Sequence, residues 1–203
     1  MKSSGVPKAL VIGGSLGGLF AATALRAIGW QVDIYERSPA AMDSRGGGIV
    51  LQAEVLHHFR YAGIHPAGAL GVRSHDRLYL DREGSVVHKE PMPQTQTSWN
   101  TLYSSLFSAF AAEHYHRGKT LVDLTQNEHR VTAIFADGST AEADLLIGAD
   151  GSGSTVRSVV LPGTVPSYSG YVVWRGLVDE EQLPDFAKCS FTRTLFFNKT
   201  LNR

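Results

Sequence analysis

Six consecutive residues near the start of the chain, Gly13-Gly14-Ser15-Leu16-Gly17-Gly18, have the composition of a loop that wraps a pyrophosphate. Lacking a side chain, Gly13 permits a tight turn and Gly18 lets a following helix lie close on the preceding strand. The unpaired N–H groups at the mouth of that helix, including that of Leu16, then face an anion. Ser15 stands where the G-x-G-x-x-G pattern has its second glycine; it is small, and its hydroxyl can add a hydrogen bond to phosphate. Glu36 follows Gly18 by eighteen residues, close to the interval at which a carboxylate meets an adenosine ribose. Such a carboxylate accepts from both ribose hydroxyls and repels a 2′-phosphate, so FAD or NAD is expected rather than NADP. The alternative is a strand-end glutamate in solvent.

A second constellation, Gly148-Ala149-Asp150-Gly151-Ser152-Gly153-Ser154-Thr155-Val156-Arg157, follows an apolar strand. Taken alone, Asp150 could equally cap a short helix. No catalytic base stands out among the eight histidines. His57, His58, His114 and His116 fall in helical stretches where solvated faces are the default, and no convergent ligand set suggests a metal. Cys189 is the only cysteine, so no internal disulfide forms, which fits a reducing compartment.

The elements that must hold these residues read as α/β. Lys8 to Gly13 is a buried strand, Leu16 to Ile28 a helix closed by Gly29, and Gln31 to Glu36 a second strand with period-two alternation. Ser44 to Gly48 is a loop leading into Ile49 to Gln52, and Ala53 to Tyr61 a helix stopping near Gly63. Arg77 to Leu80 and Ser85 to His88 form a hairpin. Glu90 to Thr97 reads as a polar, proline-bearing connection, and Trp99 to Tyr115 as one amphipathic helix. Val131 to Phe135 pairs across Asp137-Gly138 with Ala143 to Ile147, and a last strand covers Gly170 to Val178. These elements make a Rossmann-like parallel-sheet domain with a βαβ start, into which pieces of a β-rich layer are inserted. The expected division is 1–72 with 99–165, against 73–98 with 166–203.

The 203 residues are 43% hydrophobic and 19% charged, with nineteen basic residues balancing nineteen acidic ones. That is an ordinary globular composition without the basic stripe a nucleic-acid partner requires. The uncharged run Ala9 to Leu25 reaches roughly 26 Å as a helix, too short for a bilayer core, and contains four glycines. No membrane association and a soluble, cytoplasmic protein are expected.

The glycine loop, Glu36-Arg37 and the Gly148–Arg157 segment together resemble the class A flavoprotein monooxygenases, the p-hydroxybenzoate hydroxylase type. Val32–Pro39, Gly48–Gln52 and Tyr168–Gly176 are similar to segments of the 2,6-dihydroxypyridine 3-monooxygenase-like group, a similarity that covers about residues 8 to 180. The resemblance implies FAD as cofactor, with Asp150 at the ribityl and phosphate region and Arg157 bracing its segment. It also places Arg45, Val50 and Gln52 near the flavin and the Leu124 backbone near the adenine. By residue type alone, Arg45 is a loop cation that could equally be solvated. Where many class A enzymes carry an arginine at the start of a long helix, this chain has Trp99. Tyr171, Trp174 and Arg175 alternate on a strand, which more often means sheet packing than a substrate wall.

The implied reaction is reduction of FAD by NADH or NADPH and insertion of one oxygen atom of O₂ into an electron-rich phenol or hydroxypyridine ring. A small aromatic substrate is the expected partner, with a homodimer one option for the full-length form. Relatives run to roughly twice this length, and a third, Gly-Asp-containing motif is absent after Arg157. The chain therefore reads as the N-terminal part of such an enzyme, expected to hold FAD poorly and to aggregate alone. A truncated, inactive nucleotide-binding relative is the alternative, and an NAD-dependent dehydrogenase a weaker one.

Overall fold

The structure, a computed structural model, describes residues 5–42, 47–83, 85–172, 179–182, 185 and 194–198. Arg45, Trp174, Arg175 and Cys189 lie outside the described residues, as does the expected last strand from Val173 onward.

The chain opens as β1 (Lys8–Ile12), α1 (Leu16–Ala27) and β2 (Gln31–Glu36). Gly29, at φ +86°, ends α1 in the left-handed conformation that a helix C-terminus favours. β3 (Gly48–Val50) and α2 (Ala53–Tyr61) come next. After them the chain forms β4 (Val72–Leu80), β5 (Val86–Ser98) and α3 (Trp99–Ala109). A 3-10 turn (Ala112–His114) leads to β6 (Tyr115–Arg117). β7 (Leu121–Gln126), β8 (Val131–Phe135), β9 (Thr140–Ala143), β10 (Leu145–Gly148), α4 (Thr155–Val160), a second 3-10 turn (Glu180–Gln182) and β11 (Thr194–Asn198) complete the described elements.

A parallel sheet runs in the order β10-β1-β2-β6, so the first strand is central. Its alternation sorts side chains onto two faces. Ala9, Val11, Val32 and Ile34 pack with Leu19 and Ala22 of α1, Phe59 of α2, and Leu102 and Leu106 of α3. On the other face Leu10 and Ile12 meet Leu121, Leu124, Val131, Ala133, Phe135 and Ala143, from the antiparallel sheet β7-β8-β9. Leu10, Leu19, Ile34 and Phe135 are essentially inaccessible, and each such burial stabilises by about 1.5–3 kcal/mol. The third sheet, in the order β11-β4-β5-β3, carries the β-rich layer.

Three expectations need correction. Glu90 to Thr97 is not a connection: β5 runs through it, pairing Ser74 with Gln94 and Asp76 with Pro91 across a register shift. The prolines are tolerated because they fall at that irregularity and beyond the reach of β3, which pairs only with Gln96 to Ser98. The helix from Trp99 ends at Ala109, since Phe110 turns to extended φ/ψ; the chain then enters β6, which is bonded to β2. Ala143 to Ile147 is two strands in two sheets. β9 pairs with β8, and after Asp144 the chain crosses to lie beside β1. Asp144 fixes that crossing by accepting from the Lys8 N–H at 2.8 Å while its own N–H donates to the Lys8 carbonyl at 3.0 Å.

Among the described residues no helix is long and apolar enough to cross a membrane.

Candidate functional site

The carboxyl ends of β1, β2 and β10 open into one crevice of about 310 Å³, a volume suited to a small-molecule site. Gly13, Ser15, Glu36, Arg37 and Asp150 all line it. The glycine loop, the end of the second strand and the turn after β10 therefore converge, although they lie far apart in the chain.

Gly13 sits at φ +102°, and a Cβ there would come within 2.3 Å of the Ala149 carbonyl oxygen. Only glycine lets the loops after β1 and β10 approach this closely. At Gly18 a Cβ would meet the Gly13 carbonyl oxygen at 1.8 Å, so this position holds α1 against the loop and does not face the crevice. The α1 N-terminus has no acidic residue in its first turn, and its N-cap Ser15 makes no capping bond. Its amides and positive dipole end are available to an anion.

Glu36 is only 6% exposed, yet both carboxylate oxygens are engaged: Oε2 accepts from the Gly14 N–H and Oε1 from the Ser38 N–H, each at 2.8 Å. The solvent-facing alternative for this residue is thereby set aside. Each oxygen can accept a further bond, so a ribose diol can be bound without releasing the loop. Asp150 accepts from the Ser154 hydroxyl at 2.5 Å and from the Val156 N–H at 3.2 Å, while Ser154 is the N-cap of α4. The capping and crevice-lining readings of Asp150 thus hold together. The Arg157 guanidinium donates to the Ser152 carbonyl, bracing the same turn.

Other sequence candidates fall elsewhere. The Leu16 side chain packs against the helical core while its N–H stays at the open mouth of α1, and Leu124 lines a separate hollow with Val131, Leu146 and Val156 rather than the crevice. Val50 pairs with Gln96 in the third sheet, and the Gln52 amide donates to the Val50 carbonyl at 3.3 Å. Neither lines the crevice, because β3 belongs to another layer. His114 and His116 are not on an α-helix: both ring nitrogens meet Asp33 Oδ1, at 2.9 and 3.1 Å, with Lys8 Nζ at 2.9 Å from Oδ2. Burial pushes the Asp33 carboxyl upward, but bonds from His114, Lys8 and His116 outweigh it and hold the group at about 2.

Crevice residues that sequence reasoning missed include Tyr35, Met42, Lys119, Thr120 and Leu121. Lys119 bonds Asp137 at 2.6 Å and Ser139 at 2.9 Å, and its own backbone N–H donates to the Glu36 carbonyl. Only the placement of β6 beside β2 brings it there, and no local signal marks that pairing. Trp99, marked by the sequence as a departure, also lines the crevice and stacks on Tyr103 with ring centroids 4.6 Å apart.

A central parallel sheet, a glycine loop at a helix mouth, and a carboxylate at the end of the second strand define a dinucleotide-binding α/β protein of Rossmann type. The donor set suits an adenine dinucleotide: free amides for a pyrophosphate and a carboxylate for a ribose. The chain belongs to the FAD-binding domain family, which its residues 7–198 match, and the cofactor of that family is FAD. It is 41% identical over 176 residues to the 2,6-dihydroxypyridine 3-monooxygenase of Paenarthrobacter nicotinovorans, covering 86% of this chain and 44% of that enzyme. The 6-hydroxynicotinate 3-monooxygenase of Pseudomonas fluorescens is 31% identical over 185 residues, covering 84% and 47%. The structure of 2,6-dihydroxypyridine-3-hydroxylase from Arthrobacter nicotinovorans superposes with a TM-score of 0.73 at 40% identity, over 83% of this chain and 42% of that one. Klebsiella pneumoniae HpxO, solved with FAD and uric acid, gives 0.64 at 28% identity, over 75% and 41%. The chain spans less than half the length of each of these relatives. The relatives are FAD-dependent monooxygenases, as the class A resemblance implies.

Proposed function

We propose that this chain binds FAD in the crevice between α1, Glu36 and the Asp150 turn, and that it serves hydroxylation of an electron-rich aromatic or hydroxypyridine ring with NADH or NADPH and O₂. The observation that carries this reading is the meeting of three sequence-distant groups around one opening. In it the amides from Ser15 to Gly17 take the pyrophosphate, with Gly13 and Gly18 holding the loop in shape. Glu36 accepts from the ribose hydroxyls, Arg37 adds a cation at the adenosine end, and Asp150 orients the ribityl region. When bound, the flavin supplies the redox and oxygen-activating chemistry; the side chains bind it, orient it and limit water. The relatives named for hydroxypyridine and hydroxynicotinate oxidation support a small nitrogen-bearing aromatic as substrate.

The same reading assigns residues 1–72 and 99–165 to the cofactor domain, and 73–98 with 166–203 to a partial substrate layer. The separate sheet built by β4 and β5 supports that division, with β3 as the one strand lent across it. The lone cysteine supports a cytoplasmic setting.

Titration of FAD with the purified chain, followed by flavin fluorescence, tests the proposal. Saturable one-to-one binding, weak for this chain alone, is expected. Binding of NAD with no response to FAD would replace it with the dehydrogenase reading, and binding of neither would remove the cofactor site altogether.

A further inference from the structure

We infer that Tyr115 is a positioning residue for the pyrophosphate-binding loop: its buried hydroxyl, by holding the Gly14 carbonyl, aims the Ser15 N–H into the crevice. The inference rests on the crevice being the FAD site and deepens that reading.

The geometry begins with the peptide between Gly14 and Ser15. In a trans peptide the carbonyl and the N–H point in opposite directions. The Tyr115 hydroxyl donates to the Gly14 carbonyl oxygen at 2.9 Å in a buried setting, so that carbonyl faces inward and the N–H of Ser15 faces out. Ser15 lines the crevice, and no acceptor among the described residues takes its N–H. The preceding peptide is clamped as well. Its N–H, that of Gly14, is held by Glu36 Oε2, and its carbonyl, that of Gly13, lies against Gly18. Two successive peptide planes are thus fixed from outside the loop, one by β2 and one by β6.

Tyr115 is built for this task. It is 7% exposed, Phe107 meets its ring edge-on at 5.1 Å, and the Arg117 guanidinium lies 5.0 Å from its centroid. A Cβ on Gly14 would come within 2.0 Å of the phenolic oxygen, so loop and hydroxyl fit only with glycine there. Burial, and then the Tyr103 hydroxyl 3.5 Å away, push the phenol well above its ordinary range, which keeps the donor proton in place. The hydrogen bond on the carbonyl also polarises the shared peptide and strengthens its N–H as a donor.

Tyr115→Phe removes the hydroxyl and keeps the ring. Affinities for FAD and for ADP, which carries the pyrophosphate without the flavin, are both expected to fall about five- to tenfold, measured on the folded protein beside its melting temperature. Tyr61→Phe, at the exposed end of α2 and away from the loop, is expected to leave both affinities unchanged. Unaltered affinities in Tyr115→Phe, whatever its melting temperature, would overturn the inference, because a purely structural tyrosine alters the folded fraction and not the affinity of the folded form. Should Tyr115→Phe not fold, 3-fluorotyrosine at position 115 supplies a stronger donor of nearly the same size. Tighter FAD binding is then expected, and an unaltered dissociation constant would overturn the proposal. Wild-type protein that binds neither nucleotide would instead count against the site itself.

Discussion

Glu36 serves two purposes at once, bracing the loop through the Gly14 and Ser38 amides and presenting remaining lone pairs to the crevice. Glu36→Ala should therefore weaken FAD binding by about 1.5–3 kcal/mol, the range for hydrogen bonds to a charged group. It should also lower the melting temperature without ligand, since two inward amides lose their acceptor; an unchanged dissociation constant in a titration would contradict the assignment. Asp33 permits a pH test. Its carboxyl is held at about 2, below its ordinary 3.8, so its contribution is complete above about 4 and fades as the pH falls towards 2. Denaturant midpoints measured from pH 5 to 2 should fall more steeply for the wild type than for Asp33→Asn, which lacks that titration. Glu36 and the glycines are readable in the sequence because their spacing is a local ruler along one βαβ unit. Tyr115 is not, because its purpose arises from a contact to Gly14 across 101 residues.

The first helix shows how two glycines in one turn can differ. A Cβ at Gly18 collides with backbone, whereas one at Gly17 meets nothing within 4 Å. In the ligand-free protein Gly18→Ala should cost about 1–3 kcal/mol through forced separation of helix and loop, and Gly17→Ala should gain roughly 0.5–1 kcal/mol from helix propensity. Thermal or urea unfolding of the two variants decides this, and equal effects would refute the packing argument. β1, α1, β2 and α2 are legible almost to the residue, since hydrophobic period and a closing glycine agree at each helix. The helix from Trp99 reads too long in the sequence because Phe110 and Tyr115 continue an apolar pattern, although the backbone turns extended at Phe110 and Tyr115 belongs to β6. β5 is hidden by Pro91 and Pro93, whose usual meaning is overridden where a register shift already interrupts the ladder.

At the scale of the molecule, ligand and fold are linked. A ligand that binds only the folded form raises stability by about 2.7 kcal/mol at a hundredfold excess over its dissociation constant. FAD should therefore raise the melting temperature in a concentration-dependent way, and NADP should leave it in place because its 2′-phosphate meets Glu36; an equal shift with both would remove the ribose argument. The three-sheet plan is only half visible from the sequence, since nothing local marks Asp144 as the point where the chain changes sheets. That crossing also governs how the protein is made. β1 is synthesised first but stays without its β10 neighbour until the ribosome has added Asp144, 136 residues beyond Lys8, and the four residues after it. During elongation the nascent chain carries an apolar strand with an open edge, so the chaperone dependence and solubility of nested C-terminal truncations should change abruptly once translation passes Gly148.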